Sequence, residues 1–381
     1  MEREGFKYHW WGKGDIDASF GIFFDGFSKI LTATGIMTMV FGMPARIVIG
    51  KVVPGIGLAI FLGNLWYFYE ARQLAIRERR QDVTSQPFGI GASQLSGWLY
   101  LIIGPVYWQT KDAELAFQVG LAAAFIGGMV EIAGGFAGRW IIDNIPNCAL
   151  MGNMASSAMV WLSIVGLAMV FDKPVYGLLP LFIIIIDYLG KADKRFAKIP
   201  SGVAAILIGT AVAWAGGYQT WERFEQSFAS IGFYPPSLSA GDILAGFKGI
   251  VPFLPVIIPL QINNFLSTLQ GLESARMAGD TYPERRSMIM DGVSTIAGSL
   301  FGNPFPTTVY FGHPGWKELG ARAGFSLVNG GLYLLICTTG LTGVLMAVIP
   351  TQAVMVLLIF VGFSVTDSTF RSIDKKYYQV I

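Results

Sequence analysis

The chain has 381 residues, 53% hydrophobic and 14% charged, with a formal net charge of +2. Soluble domains carry about 25% charged residues, so this composition excludes an ordinary water-soluble fold, and the small net charge excludes a strong nucleic-acid-binding field. Lipid is the solvent it fits, with 28 Phe and 10 Trp to meet it.

Taken in chain order, the first 20 residues are polar with an aromatic cluster, Tyr8 to Trp11, which reads as an interfacial anchor rather than a cleavable signal. A bilayer core needs about 20 apolar residues per helix. About twelve hydrophobic segments follow, near 21–44, 52–70, 87–108, 114–137, 146–170, 175–190, 199–217, 244–270, 286–302, 304–319, 323–348 and 352–368. Several are short or broken by Gly and Pro. The reading is an all-α polytopic membrane protein: spans one to seven over 21–217, an extracytoplasmic linker over 218–243, and spans eight to twelve over 244–381.

Basic residues recur in every second loop: Arg3, Lys7 and Lys13; Arg72, Arg77, Arg79 and Arg80; Arg139; Lys191, Lys194, Arg195 and Lys198; Arg276, Arg285 and Arg286; Lys317 and Arg322; Arg371, Lys375 and Lys376. That alternation predicts a multi-pass protein of the inner (plasma) membrane with a cytoplasmic N-terminus. Asp25 and Lys29, at i and i+4, read as a helix ion pair. Trp221, Phe224 and Phe228 give the linker an interfacial amphipathic helix. Cys148 and Cys337 sit far apart inside apolar runs with no metal spacing, and read as small buried hydrophobes. Neither a metal nor a cofactor is expected.

Two stretches resemble each other: "QPFGIGASQLSGW" (86–98) in the third span and "NPFPTTVYFGHPGW" (303–316) in the tenth. Each opens with an amide residue and Pro-Phe, crosses small residues and ends in Gly-Trp. A shift of seven spans inverts orientation, the arrangement by which many secondary transporters build a site from interrupted helices at the membrane midplane. Pro- and Gly-rich backbone cannot lie bare against hydrocarbon. Both stretches are therefore expected inside the protein or on a wet cavity, with the free N–H groups of two half-helices turned to a ligand. The plainer alternative is a pair of kinks in packed helices.

The chain resembles the nucleobase–cation symporter-2 group, the xanthine/uracil permeases, and within it the adenine/guanine (hypoxanthine) permease branch. Carrying the resemblance are the two stretches above with "NIPNCALMGNMASSAMVW", "FLSTLQGLESARMAG" and the extended element "SLFGNPFPTTVYFGHPGWKELGARAGFSLVNGG". The resemblance implies an inverted-repeat fold of seven plus seven helices with core and gate domains. It also implies interrupted third and tenth helices with substrate between them, and a homodimer. Sulfate/anion transporters share that fold. This chain departs from the family at Asn264, where an acidic residue is usual, and at Phe311, Gly312 and His313, where another acidic or polar residue is usual. It stops at "KKYYQVI", where the family continues for two more helices.

Candidate site residues follow from the breaks and from polar groups in apolar spans. Gln261, Asn264 and Thr268 share one helical face and are expected to turn inward, as ligand contacts or as interhelical glue. Thr307, Thr308 and Tyr310 supply hydroxyls beside the second break, and Gly312 permits close approach. Gly91, Ala92, Ser93 and Gln94 are their counterparts at the first break. Phe88 or Tyr310 is weighed for stacking on a planar ligand. His313, of a residue type that changes charge near neutral pH, is the candidate proton carrier; the alternative is a histidine held by a backbone carbonyl. Glu131, the deepest acidic residue noted, reads as a structural or gating partner.

The expected function is a permease for a small planar solute, a purine or other nucleobase, working by alternating access with H+ or Na+ as coupling ion. The alternatives are a small-anion transporter on the same fold, or a non-transporting membrane sensor or assembly protein. An enzyme is not expected: HExxH, GxSxG and paired carboxylates on one helix are all missing. Partners are the bilayer and a small solute, not nucleic acid.

Overall fold

The computed structural model describes residues 6–144, 148, 152, 155–156, 158–190, 195–196, 199–372 and 375–378. Arg3, Lys191, Lys194, Lys198 and most of the 145–157 motif lie outside them. In lipid each backbone N–H and C=O needs an internal partner, so a chain of this composition builds helices. In order the main ones are α1 (Asp15–Gly35), α2 (Val53–Glu78), α3 (Ala92–Trp98), α4 (Ala113–Asn144), α5 (Val165–Asp172), α6 (Pro174–Gly190), α7 (Ser201–Ala215), α8 (Leu254–Met277), α9 (Glu284–Leu300), α10 (His313–Glu318), α11 (Gly324–Thr338), α12 (Leu341–Val348) and α13 (Thr351–Ser372). Two short strands, β1 (Phe88–Ile90) and β2 (Thr307–Val309), interrupt them, and a second antiparallel pair, Arg195–Phe196 with Ile199–Pro200, lies between α6 and α7. Among the described residues, three helical stretches are long and apolar enough to cross a bilayer: Ala45–Glu78, Ala113–Gly138 and Val251–Met277.

The two related sequence stretches are the places where helix gives way to strand. β1 and β2 pair antiparallel, with Phe88 opposite Val309, Gly89 opposite Thr308 and Ile90 opposite Thr307. The Tyr310 N–H extends the ladder to the Pro87 carbonyl at 2.7 Å. Beyond β1 the chain enters α3 and runs on through a π-helical turn, Leu99–Ile103, into the helix Gly104–Thr110. Beyond β2 the helix is different from the half-helix expected. α10 has six residues, because Gly312 (φ +106°) starts it and Gly320 (φ +79°) ends the segment, both in the left-handed region that glycine adopts without a Cβ penalty.

The chain packs as two compact units. One comprises Met1–Ile22, Thr34–Pro146 and Pro235–Leu335; the other comprises Phe23–Ala33, Asn147–Tyr234 and Ile336–Ile381. Both linear halves of the sequence contribute to each.

In the first unit, α4 begins at the Asp112 cap, whose carboxylate accepts from the Glu114 and Leu115 N–H groups at 2.9 and 3.0 Å. It packs along α9 and α8, while α2 packs on α9 and β1. α4 and α9 touch backbone to backbone: a Cβ on Gly128 would lie 2.7 Å from the Gly292 carbonyl, and one on Gly292 2.6 Å from the Gly128 carbonyl. α9, enclosed this way, buries Ser287, Asp291, Ser294, Thr295 and Ser299.

In the second unit, α13 packs on α5, α6 and α7. The middle of α1 carries the expected ion pair, Lys29 to Asp25 at 2.7 Å, and both residues are buried. A helix over Trp221–Ser227 forms in the linker, capped where the Thr220 hydroxyl accepts from the Arg223 N–H at 3.3 Å. Phe224 meets Trp221 and Phe228 edge-on at 5.7 and 4.9 Å, and Trp221 stays 70% exposed, as an interfacial ring would. Cys337 is buried and Cys148 half-buried; both are free thiols.

Candidate functional site

The site lies in the first unit, where α8 and α9 grip β2. Gln261, Asn264 and Thr268 of α8 are fully buried. The Asn264 amide donates one bond to the Glu131 carboxylate of α4 and another to the Thr307 carbonyl at 3.1 Å. Thr295 of α9 donates to the other Glu131 oxygen at 3.1 Å. Its hydroxyl accepts from the Thr307 N–H at 3.0 Å and meets the Thr307 hydroxyl at 3.1 Å. One helical turn along, Thr268 donates to Asp291 at 2.5 Å, and its oxygen lies 2.9 Å from the Thr308 hydroxyl. Asp291 also accepts from the Tyr67 hydroxyl of α2 at 2.6 Å.

A buried carboxylate keeps its place only where donors satisfy it. Here two carboxylates are satisfied by neutral amide and hydroxyl groups, and the same groups hold the strand. Glu131 stands directly behind Asn264, bonded to two of the side chains that hold β2. Asn264 is uncharged, but the region has carboxylates, supplied by α4 and α9.

Sequence reasoning missed Asp291. Its signal was present: Ser287, Asp291, Ser294 and Thr295 recur at i, i+4, i+7 and i+8 in an otherwise apolar span, and such a stripe must face protein.

Several buried polar atoms around this grip have no hydrogen-bond partner among the described residues. They are both amide atoms of Gln261, the Asn264 Oδ1 and the Gln94 Nε2. An unpaired buried polar group costs about 1–3 kcal/mol. The Gln94 carbonyl oxygen accepts from the Ser93 hydroxyl at 2.8 Å, which fixes the amide with its NH2 group open. Gly91 precedes the helix in extended backbone, and Ala92 and Ser93 are half-buried in its first turn.

Other expected contacts lie elsewhere. Phe88 packs with Tyr67, ring centroids 5.4 Å apart, and with Val309 in a core cluster. Tyr310 packs with Ala18, Ile22, Ala321 and Phe325. Both rings weighed for stacking are thus part of apolar packing. His313 points to a different cluster: its Nε2 lies 3.0 Å from the Thr84 carbonyl and 3.3 Å from Asp280. Gly312 shapes the turn before it.

That cluster is ionic and sits where α2 and α8 end and α10 begins. Asp280 takes Lys317 at 2.5 Å, Arg80 at 3.0 Å and the Thr84 N–H at 3.0 Å. Burial pushes the Asp280 carboxyl up, but bonds from His313, Lys317 and the Thr84 amide outweigh it and hold the group below the usual carboxylate range. Asp82 is brought down to about 2, chiefly by its hydrogen bonds from Arg80. Among the described residues there is no cluster of His, Cys, Asp and Glu set to hold a metal.

No protein-family model matches the chain, and no curated protein matches it. Solved structures do. The chain is similar to the transmembrane domain of a cyanobacterium bicarbonate transporter, BicA, at 16% identity and a TM-score of 0.58, over 95% of this chain and 90% of that one. It is similar to the murine Solute Carrier 26 family member A9 anion transporter in the inward-facing state at 12% identity and a TM-score of 0.60, over 98% of this chain and 63% of that one. A further SLC26A9 structure matches at 14% identity and 0.58, over 95% and 59%. The chain thus spans about three-fifths of the SLC26A9 chains and most of the BicA domain. It has the fold of these transmembrane domains, mostly helical, with third and tenth helices interrupted by paired strands.

Proposed function

We propose that the chain is a secondary transporter, working by alternating access, for a small planar uncharged solute such as a purine or another nucleobase. The observation that carries this reading is the set of buried amide atoms without hydrogen-bond partners on α3, which follows β1, and on α8, which flanks β2: donors at the Gln94 and Gln261 Nε2, acceptors at the Gln261 Oε1 and Asn264 Oδ1. The edge of a heterocycle alternates donors and acceptors, and amides answer both. Solute bonds there would remove the cost of leaving those atoms unpaired. Glu131 and Asp291 stand just behind, and among the described residues neither is ion-paired. In their ionised forms they would disfavour a bound anion at that spot.

A small anion is the second reading. It draws on the names of the structural neighbours and on the start of α3, whose free N–H groups favour negative charge. The alternation of basic loops supports a cytoplasmic N-terminus in the inner membrane, and the resemblance stated above supports a homodimer.

Uptake into proteoliposomes separates the readings. Labelled hypoxanthine, guanine or uracil should enter and bicarbonate, sulfate and chloride should not. Entry of the anions alone would replace the first reading with the second. Entry of neither set would end both in favour of a sensor or assembly role.

A further inference from the structure

α4 turns one apolar face outward. Met129, Phe136 and Trp140, at i, i+7 and i+11, are 54%, 63% and 66% exposed. Ala133 and Ala137 between them are exposed as well. The stretch Ala113–Gly138 is long and apolar enough to cross a bilayer, so this face meets lipid, and Trp140 lies just past its end, at the level of the headgroups.

At that end Arg285, the second residue of α9, lies across the face. Its guanidinium carbon is 4.2 Å from the centroid of the Phe136 ring. Its backbone is also against α4: a Cβ on Gly135 would be 3.4 Å from the Arg285 carbonyl. Arg285 therefore sits on the seam between the two helices. Among the described residues its side chain has no ion pair and no hydrogen bond. At the same end of the unit Arg80, Arg276 and Lys317 each have a carboxylate within reach, at 2.8, 2.5 and 2.5 Å.

An arginine over an aromatic ring uses the flat face of its guanidinium. The N–H groups around the edge remain, in a fork that matches two oxygens of a phosphate. A cation at the border of hydrocarbon needs an anion beside it, because screening by water is weak there. The anion that a bilayer offers at this depth is the phosphodiester of a phospholipid. A zwitterionic headgroup brings its own ammonium to that phosphate, whereas an anionic one leaves it to the arginine.

We infer that the seam of α4 and α9 binds the headgroup of an anionic glycerophospholipid. The phosphate takes a bidentate pair of N–H bonds from Arg285, with the Trp140 indole N–H as a further donor, and an acyl chain runs along Phe136 and Met129. The seam matters to the site because Thr295 of α9 donates to Glu131 of α4 beside β2. A lipid bridging the two helices at their ends stabilises that pairing. Lipid binding here is separate from the transport reading and holds whichever solute is carried.

The test uses the full chain in detergent, with dioleoyl phosphatidylglycerol, phosphatidylcholine of the same chains, or inorganic phosphate added. Native mass spectrometry counts bound lipid, and far-ultraviolet circular dichroism follows thermal unfolding. Phosphatidylglycerol should raise the wild-type midpoint by about 3 °C or more, and the other two by less than about 1 °C. Arg285→Gln should weaken phosphatidylglycerol binding by about tenfold; Arg285→Lys, which loses the fork, and Phe136→Leu, which loses the ring, by about threefold each. Arg286→Gln, next along the helix and also exposed, should bind as wild type does. Equal shifts from phosphatidylcholine would overturn the inference, and so would equal shifts from inorganic phosphate, which would make the site one for a free anion. An unchanged response in Arg285→Gln sinks it too, as does an equal loss in Arg286→Gln, which would reduce the binding to surface charge. A dimer lost in Arg285→Gln in place of bound lipid would give the face to a second copy and end the lipid assignment. Should Arg285→Gln fail to fold, Phe136→Leu decides, and wild-type affinity there ends it.

Discussion

The two breaks share a sequence pattern and are held in opposite ways. Along β2, Asn264 and Thr268 from α8 and Thr295 from α9 each bond to Thr307 or Thr308, with Glu131 and Asp291 behind them. Along β1, the side-chain bond is that of Asn64 to the Phe88 carbonyl at 3.1 Å, and the rest of the hold is apolar packing on Tyr67 and Val309. One arm is thus wired into a carboxylate network, and the other rests on a hydrophobic seat with the Gln94 amide open at the helix that follows. The difference teaches which strand is tied by side-chain hydrogen bonds and which by apolar packing. β2 is held at Thr307 and Thr308 by side chains of α8 and α9, whereas the Gln94 amide of α3, beyond β1, keeps its Nε2 without a hydrogen-bond partner among the described residues.

The largest effect should come from breaking the wired arm. Asn264→Ala removes both amide bonds and leaves a Glu131 oxygen without a donor. It should lower stability by about 3 kcal/mol and weaken solute binding by about tenfold or more, read by denaturant unfolding in detergent and by ligand titration. Thr295→Val deletes the acceptor of the Thr307 N–H and the second donor to Glu131. A loss of about 2 kcal/mol is expected, with Thr295→Ser restoring most of it. Asn64→Ala sharpens the contrast: it should cost only about 1 kcal/mol and change affinity by less than about threefold. A cost equal to that of Asn264→Ala would erase the distinction drawn between the arms.

The smallest effect concerns the ionic cluster that anchors the loops before β1 and after β2. Asp280 is depressed in the folded state, so its contribution is complete above the unfolded value of 3.8 and is lost as pH falls through its lower folded value. Acid unfolding followed by tryptophan fluorescence should therefore steepen only below about pH 4, and Asp280→Asn should flatten that limb.

Much of this was legible in the residues. The apolar composition, the Pro- and Gly-rich stretches and the Gln261, Asn264, Thr268 stripe are local patterns, and local patterns set where helix must stop and which face must turn inward. The matched motifs at 86–98 and 303–316 even pointed to one another, and the strands they form do pair. Glu131 was visible as a costly residue, but its partner Asn264 lies 133 positions away. Asp291 was passed over although its stripe was readable. His313 stood out as a histidine in an apolar region, of a type that changes charge near neutral pH, yet its ring lies against the Thr84 carbonyl, the arrangement weighed as its alternative.

What the sequence by itself determined was the solvent of this protein and the positions where its helices are interrupted, because hydrophobic transfer and backbone geometry act residue by residue. Only the tertiary structure decided which carboxylates stand behind the second strand, which amides remain open and where the histidine goes. Those are hydrogen bonds between segments up to hundreds of residues apart, and a polar group buried in an apolar protein takes its meaning from the partner that packing brings to it.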